Sequence, residues 1–572
     1  MKKSNNNRQM YLAQFYYKNK LAFILATFSS LLLVLCNLVL SWIMQQIVDS
    51  ISGSENALSL PSLTLITIAL ILFTVVVKLL NYYTQPRFIR NALLQYKEFA
   101  FHNLTRKSIA TFQSESSSSY LSGFTNDVNS IEENYLSKQF DMIANILLFS
   151  GALIMMLLYS PLLTFIAIAL SALPFIASIL TGSRLEQLER QVSDKNAAFT
   201  ITLKDILSGF SVVKSFKAES SIHGIFSRSN RQVEDCKYRK RKVATIIQLI
   251  GAITGIIAQL GVFIAGAYLT LSGYPITAGV IMTFVNLMNF IISPIAELPG
   301  ILASRKAAFG LIDKMADALE QNRNEDGYAV SAKLESGIEL RNLSFGYEEN
   351  KEILHNLSTT FEAGKSYCLV GSSGCGKSTL LNLLMASHTD YSGHICFDGH
   401  ELKEIHPASI YELTSMIEQN VFLFHATIRD NITMFQSFPD EMVNRVIELS
   451  GLTSIIAKHG ADYLCGEDGA GLSGGEKQRI SIARSLLRNS SILLVDEATS
   501  ALDAETSYQI SSVILGLKGM TRIVITHDLD EAILKNYDCI LTMKAGEIVE
   551  SGDFQTLMER KGYFYSLFTV SQ

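Results

Sequence analysis

Hydrophobic positions follow two rhythms along this chain, and the change of rhythm divides it. In the first half, long apolar runs are interrupted by charged stretches. Residues 21–43 contain no Asp, Glu, Lys or Arg, and a helix needs about 20 apolar residues to cross a bilayer. Similar runs lie near 61–81, 142–160, 161–182, 244–270 and 276–297, so six spans are predicted. Residues 82–141 and 183–243 are rich in helix formers of mixed charge, as in Arg184 to Arg190, and read as helical hairpins that continue the spans. An arm of about 25 residues would project roughly 40 Å from the bilayer at 1.5 Å per residue. Span six is expected to run on as helix past Pro299 toward Met315, and the polar stretch Gln321 to Gly327 reads as a linker. From about residue 336 short apolar strands alternate with helical segments, the pattern of an α/β domain. The expected organisation is a membrane domain over 1–320, a linker over 321–335 and a second domain over 336–572. Gly251 and Gly255, a small-x-x-x-small pair in span five, are expected to mark a close helix contact.

Charge orients the spans. Lys2, Lys3, Arg8, Lys18 and Lys20 precede the first, and the two long loops carry clusters such as Arg239-Lys240-Arg241-Lys242. The stretches 44–60 and 271–275 and the turn at Ser160-Pro161 carry no Lys or Arg. The positive-inside rule therefore places both termini, both long loops and the second domain in the cytoplasm of a multi-pass protein of the plasma or inner membrane. The apolar core of span one is too long for a cleaved signal peptide. Six of the seven cysteines fall on the cytoplasmic side without C-x-x-C spacing, which excludes a disulfide framework and gives no zinc signature. A net charge of −5 carries no nucleic-acid footprint. The mean hydropathy of +0.24 is high for a soluble protein.

The chemistry lies in the second half. Gly371-Ser372-Ser373-Gly374-Cys375-Gly376-Lys377-Ser378 fits the phosphate-loop pattern, between the apolar run Tyr367 to Val370 and a helical run from Thr379 to Leu384. In that context the glycines let backbone N–H groups wrap phosphates at a helix N-terminus. Lys377 would reach the β- and γ-phosphates, and the Ser378 hydroxyl would ligate Mg²⁺. Cys375 reads as a tolerated loop residue, the alternative being an accessible thiol near Lys377. Further along, Ser491 to Val495 forms an apolar strand ending in Asp496 and Glu497. Asp496 suits Mg²⁺ held through water, and Glu497 suits polarising an attacking water. Ser473-Gly474-Gly475 opens a helix over Gln478 to Leu487, a second anion-binding terminus. Gln419 follows Met416-Ile417-Glu418, Asp503 closes Ser500-Ala501-Leu502, and His527 ends the strand Arg522 to Thr526.

This ordered set resembles the ATP-binding cassette superfamily, and six spans ahead of one such domain resemble its exporter-type half-transporters over nearly the whole chain. The implied fold is an all-α six-helix transmembrane domain with long cytoplasmic helical extensions, followed by an α/β P-loop NTPase domain. The resemblance implies ATP and Mg²⁺ as cofactors. Nucleotide contacts would come from Tyr347, Gly371, Ser372, Ser373, Gly374, Cys375, Gly376, Lys377, Ser378 and Thr379, and from Ser473, Gly474, Gly475, Gln478 and Asp503. Tyr347, in Ser344-Phe345-Gly346-Tyr347, matches the adenine-stacking position. Ser378, Gln419 and Asp496 would hold the metal. Glu497 would act as general base, with Lys377, Gln419 and His527 completing the catalytic set. Ser122 to Val128 and Leu207 to Lys214 resemble the two coupling-helix regions.

The resemblance further implies a dimer in which one chain's phosphate loop and the partner's Ser473–Gly475 enclose each ATP. With Glu497 and the signature both intact, a homodimer is favoured over a heterodimer with a second half-transporter. The expected activity is ATP-driven export of an apolar or amphipathic drug, lipid or peptide. An exporter-fold importer, as of a metal chelate, and a non-pumping ATP-gated channel or sensor are the alternatives. One departure is Asp528-Leu529-Asp530-Glu531-Ala532 after His527, where exporter domains usually continue Arg-Leu. In span six, Asn286, Asn289, Ser293 and Glu297 share one helical face. They are expected either to line the substrate path or to hydrogen-bond between helices.

Overall fold

The structure, a computed structural model, describes residues 2–54, 57–113, 117–320, 327–348, 351–499 and 502–571. Most of the polar linker stretch (321–326), Ser116, Ser500 and Ala501 lie outside the described residues. Contacts gather the chain into two units, residues 1–103 with 120–320, and residues 104–119 with 321–572.

The first unit is helical. Its principal helices are α1 (Lys2–Tyr16), α2 (Lys20–Ile51), α3 (Leu60–Thr105), α4 (Lys138–Tyr159), α5 (Pro161–Ser208), α6 (Phe210–Ser215), α7 (Glu219–Leu271) and α8 (Ala278–Glu320). The predicted spans lie in α2, α3, α4, α5, α7 and α8, apart from Ser160 and residues 276–277, which lie just outside the helices. Among the described residues five helical segments are long and apolar enough to cross a membrane, and the apolar start of α5, Pro161–Ala172, supplies a shorter one. The turn between α4 and α5 is set locally. Ser160 is extended and its hydroxyl accepts from the Leu163 N–H at 3.3 Å, while Pro161 occupies the first helical position, where its missing N–H costs nothing.

α8 supplies the centre of this unit. Phe284, Leu287, Met288 and Ile291 are buried against Met156 of α4, Leu163 of α5 and Val262 of α7. Elsewhere large apolar side chains such as Leu65, Leu72, Ile257 and Ile264 remain exposed. So much apolar surface is unfavourable in water and is solvated by lipid. Among the described residues no atom lies within 4 Å of where a Cβ would stand at Gly251 or Gly255. The close helix contact expected of this pair is therefore not formed among the described residues.

Polar ties cross the apolar seams. The buried carboxylate of Asp49, near the end of α2, accepts from the Gly279 N–H at 3.0 Å and from Gln45 Nε2 at 3.2 Å. It thereby caps the N-terminus of α8, and the approach is so close that a Cβ at Gly279 would meet the Gln45 carbonyl. At the other end α1 is anchored by Tyr11 and Phe15, both fully buried, and by the Arg8–Asp313 ion pair. The hairpin α5–α6–α7 turns at Gly209, within Leu207 to Lys214. Ser122 to Val128, the other region of the coupling-helix resemblance, is helical. It is continuous helix with a π-turn at Gly123–Asp127, and Gly123 is buried facing Met315. Within it Gly123 and Val128 are buried and Thr125 and Asn126 exposed. The segment that groups with the second unit lies just before it, where Ile109 N–H donates to Tyr411 Oη at 2.8 Å.

The second unit holds two sheets. The strands are β1 (Gly337–Phe345), β2 (Leu354–Glu362), β3 (Ser366–Gly371), β4 (Ser392–Phe397), β5 (His400–Glu401), β6 (Thr414–Ile417), β7 (Ile492–Asp496), β8 (Thr521–Ile525), β9 (Cys539–Lys544) and β10 (Glu547–Gly552). An antiparallel sheet runs β2-β1-β4-β5, and a six-stranded sheet runs β10-β9-β3-β8-β7-β6. In the latter β9, β3, β8, β7 and β6 are parallel, with Leu369 opposite Ile525 and Asp496 opposite Ile525. These strands read as unbroken apolar runs because both faces are covered: β7 and β8 are buried along their full length.

Candidate nucleotide site

Parallel pairing brings the carboxyl ends of β3, β6, β7 and β8 to one edge of the sheet, the place where open α/β sheets bind ligands. That edge delivers Gly371, Gln419, Asp496 with Glu497, and His527 from four separate parts of the chain. After β3 the chain turns through Gly374 (φ 79°) and Gly376 (φ 101°), conformations that L side chains rarely adopt, and enters α9 (Lys377–Leu384). A Cβ at Gly376 would also lie 2.5 Å from Leu354 Cδ2. The Lys377 side chain is buried, its ammonium donating to the Gly371 carbonyl at 2.9 Å and the Ser372 carbonyl at 3.1 Å. The helix begins two residues earlier than the apolar run suggested, because glycine at 376 supplies the left-handed residue that starts it.

Ser378 Oγ donates to Asp496 Oδ1 at 3.1 Å. Burial raises the Asp496 pKa above the usual aspartate value and the neighbouring Glu497 charge adds to it, while the Ser378 hydrogen bond opposes both. The next carboxylate is gripped from two sides. Gln419 Nε2 donates to Glu497 Oε2 at 2.7 Å, and His527 Nε2 lies 2.6 Å from Glu497 Oε1. Glu497 itself has φ 50°, a left-handed conformation rare outside glycine, and its N–H reaches the Ile525 carbonyl at 3.2 Å. Tyr347 is half-exposed, its hydroxyl 3.4 Å from Thr379 Oγ1 in the first turn of α9. Cys375 is buried rather than accessible, so the alternative of a solvent-facing thiol does not hold.

The signature residues lie in a different place. Ser473 caps α10 (Gly474–Arg488) through a reciprocal pair: its N–H donates to Glu476 Oε2 at 2.7 Å and Glu476 N–H donates to Ser473 Oγ at 3.3 Å. The first of these bonds holds the Glu476 carboxyl below its usual pKa. Asp503 caps α11 (Ala504–Gly516), accepting from Thr506 N–H at 3.0 Å, a bond that lowers its pKa. Ser473, Gly474, Gly475 and Asp503 border one open hollow of about 540 Å³ together with Lys458 and Arg479. Gln478, one turn into α10, is buried. The structure thus gathers the expected residues into two sets, the phosphate-loop edge and the signature hollow. Lys458 and Arg479 had no assigned role in the sequence reading; their only signal was positive charge near an anion-binding motif.

The span-six residues are all bonded. Asn286 Nδ2 donates to Ser41 Oγ at 3.0 Å, Gln259 Nε2 to Asn289 Oδ1 at 2.6 Å, Ser293 Oγ to Glu297 Oε1 at 2.9 Å, and Asn145 Nδ2 to Glu297 Oε2 at 3.1 Å. These bonds tie α8 to α2, α7 and α4.

Comparison with known proteins accords with this architecture. Family models for the ABC transporter and for the ABC transporter transmembrane region match residues 354–500 and 23–295. An ATP-dependent lipid A-core flippase of Syntrophus aciditrophicus is 28% identical over 482 residues, 82% of this chain and 78% of that protein. A putative multidrug export ATP-binding/permease protein of Bacillus subtilis, YgaD, is 28% identical over 550 residues, 93% of this chain and 94% of that protein. A solved bacterial Atm1-family ABC exporter with ATP bound shares the fold at a TM-score of 0.83 and 23% identity, covering 96% of this chain and 98% of that one. With a membrane-spanning helical unit joined to one nucleotide-binding unit in a single polypeptide, this chain belongs to the ABC transporter family and is an ATPase coupled to movement of substances across a membrane.

Proposed function

We propose that two copies of this chain form an exporter that moves an apolar or amphipathic compound by alternating access. The observation that carries the dimer is that Ser473–Gly475 and Asp503 border a hollow that none of Lys377, Ser378, Asp496 and Glu497 lines. Each set has half of what enclosing a triphosphate requires: a basic phosphate loop with carboxylates, and a capped helix N-terminus. In this reading Glu497 takes the proton of the attacking water. Gln419 and His527 hold its two oxygens in place, and Lys377 neutralises phosphate charge. The all-oxygen set Ser378, Gln419 and Asp496 fits Mg²⁺, which takes its remaining ligands from phosphate and water and would supply Lewis-acid stabilisation of phosphate charge.

Amphipathic cargo is supported by the apolar lining of the spans and by relatives named for lipid A-core and multidrug export. Asn289, Ser293 and Glu297 are exposed although bonded, so we place them on the substrate path with Asn286 at its side. Both termini and the nucleotide-binding unit are placed in the cytoplasm, following the Lys and Arg distribution.

Mixing two inactive variants tests the composite site. Lys377→Ala and Ser473→Arg chains, each dead as a homodimer, regain ATP trapping when co-assembled, because one mixed site is then intact. Failure of co-assembled dimers to trap ATP would sink the shared-site reading. Direction is read by ATP-dependent loading of a fluorescent amphipathic dye into inside-out vesicles, which an importer would instead empty.

A further inference from the structure

Tyr347 is too exposed to be held by burial alone. It is 54% accessible, and among its polar contacts the 3.4 Å approach to Thr379 is long for a hydroxyl pair. What fixes its ring is a triangle of aromatic contacts. Phe345 meets it edge-on at 5.2 Å and 81°, and His388 meets it edge-on at 5.3 Å and 82°. The third side is closed by His388 against Phe345 at 5.2 Å and 34°. Phe345 is the last residue of β1, two residues before Tyr347. His388 comes from the loop that follows α9, so it ties the Tyr347 ring to the helix that starts in the phosphate loop. Phe345, Tyr347, His388, Ser387, Thr111 and Gln113 border an open hollow of about 500 Å³, within the usual range of about 300–1,000 Å³ for ligand clefts.

We infer that His388 is a positioning residue for nucleotide binding: its ring holds Tyr347 at the angle from which that tyrosine meets the base. The inference rests on the reading of Tyr347 as the base platform. Burial depresses the His388 pKa against the opposing charge of Asp390, so the imidazole is neutral at physiological pH and packs as an uncharged ring. The loss of such a ring contact frees Tyr347 to leave its binding rotamer without touching the phosphate-binding groups.

The test is a double-mutant cycle on the full-length protein in proteoliposomes. His388→Ala raises KM for ATP about twofold to tenfold, the range of one aromatic pair, with kcat unchanged. His388→Phe, which keeps a ring, restores KM. Inhibition by inorganic tripolyphosphate, which has no base, is the same in all variants. Tyr347→Ala raises KM, and adding His388→Ala to it raises KM no further, as coupled residues require. Independent multiplication of the two effects, an unrestored His388→Phe, or a changed tripolyphosphate constant overturns the inference. If Tyr347→Ala raises KM and His388→Ala does not, the His388 role alone fails. If Tyr347→Ala leaves KM unmoved, the platform reading falls and takes this inference with it.

Discussion

Replacing Glu497 by Gln separates chemistry from architecture. The Glu497 carboxylate has two partners, Gln419 Nε2 at 2.7 Å and His527 Nε2 at 2.6 Å. A glutamine keeps the shape and still accepts from Gln419, so only the His527 contact is lost as a charge-assisted bond. With the His527 side chain 44% exposed, solvent screens that contact, and the folding cost is about 1 kcal/mol or less. The left-handed backbone at 497 strains Glu and Gln alike, so no further penalty arises there. Loss of a general base slows a reaction by about 10²- to 10⁴-fold, or roughly 2.7–5.4 kcal/mol in the barrier. The two magnitudes differ enough to be told apart. Phosphate release, ATP retention and thermal melting are measured on the same proteoliposome preparation. The expected result is hydrolysis down at least about 100-fold, ATP retained, and a melting temperature within a few degrees of the parent. Steady-state hydrolysis within about tenfold of the parent would refute the base assignment.

Two further outcomes follow from burial and hydrogen bonding in the nucleotide-binding unit. The Asp538 carboxylate accepts from Ser366 N–H and Ser366 Oγ, both at 2.7 Å. Burial raises its pKa, but these bonds and the charges of Arg522 and Lys365 outweigh it and leave the pKa below the usual value. Its stabilisation is therefore complete above the unfolded aspartate pKa, about 3.9, and is lost as pH falls through the lower folded value. Asp538→Asn should flatten the acid limb of the melting profile below about pH 4, and an unchanged limb would count against it. Cys375, buried inside the phosphate loop, should react with maleimide slowly in the folded protein and rapidly in denaturant. Rapid native-state labelling, read by mass spectrometry, would contradict its burial.

What could be read without the fold is what depends on local pattern. Six spans follow from long apolar runs, because a bilayer demands about 20 predominantly apolar residues in succession whatever the neighbours. The phosphate loop follows from glycine spacing, because Gly374 and Gly376 take positive φ that other residues resist. Asp496 and Glu497 were legible as the end of a buried strand. Chain-distant partnerships were not. That Gln419 and His527 grip the same carboxylate is decided by parallel pairing of β6, β7 and β8, which aligns strand ends far apart in sequence. Asp49 carries no sequence motif; it becomes a helix cap only because α2 and α8 approach closely enough to require glycine at 279. The segment near Ile109 was likewise missed, since a five-residue helix does not announce its Tyr411 partner. Composition and spacing determine which elements form and which chemistry they carry. Register and packing alone decide which side chains meet, because those distances are set by the whole sheet and bundle rather than by any one stretch of chain.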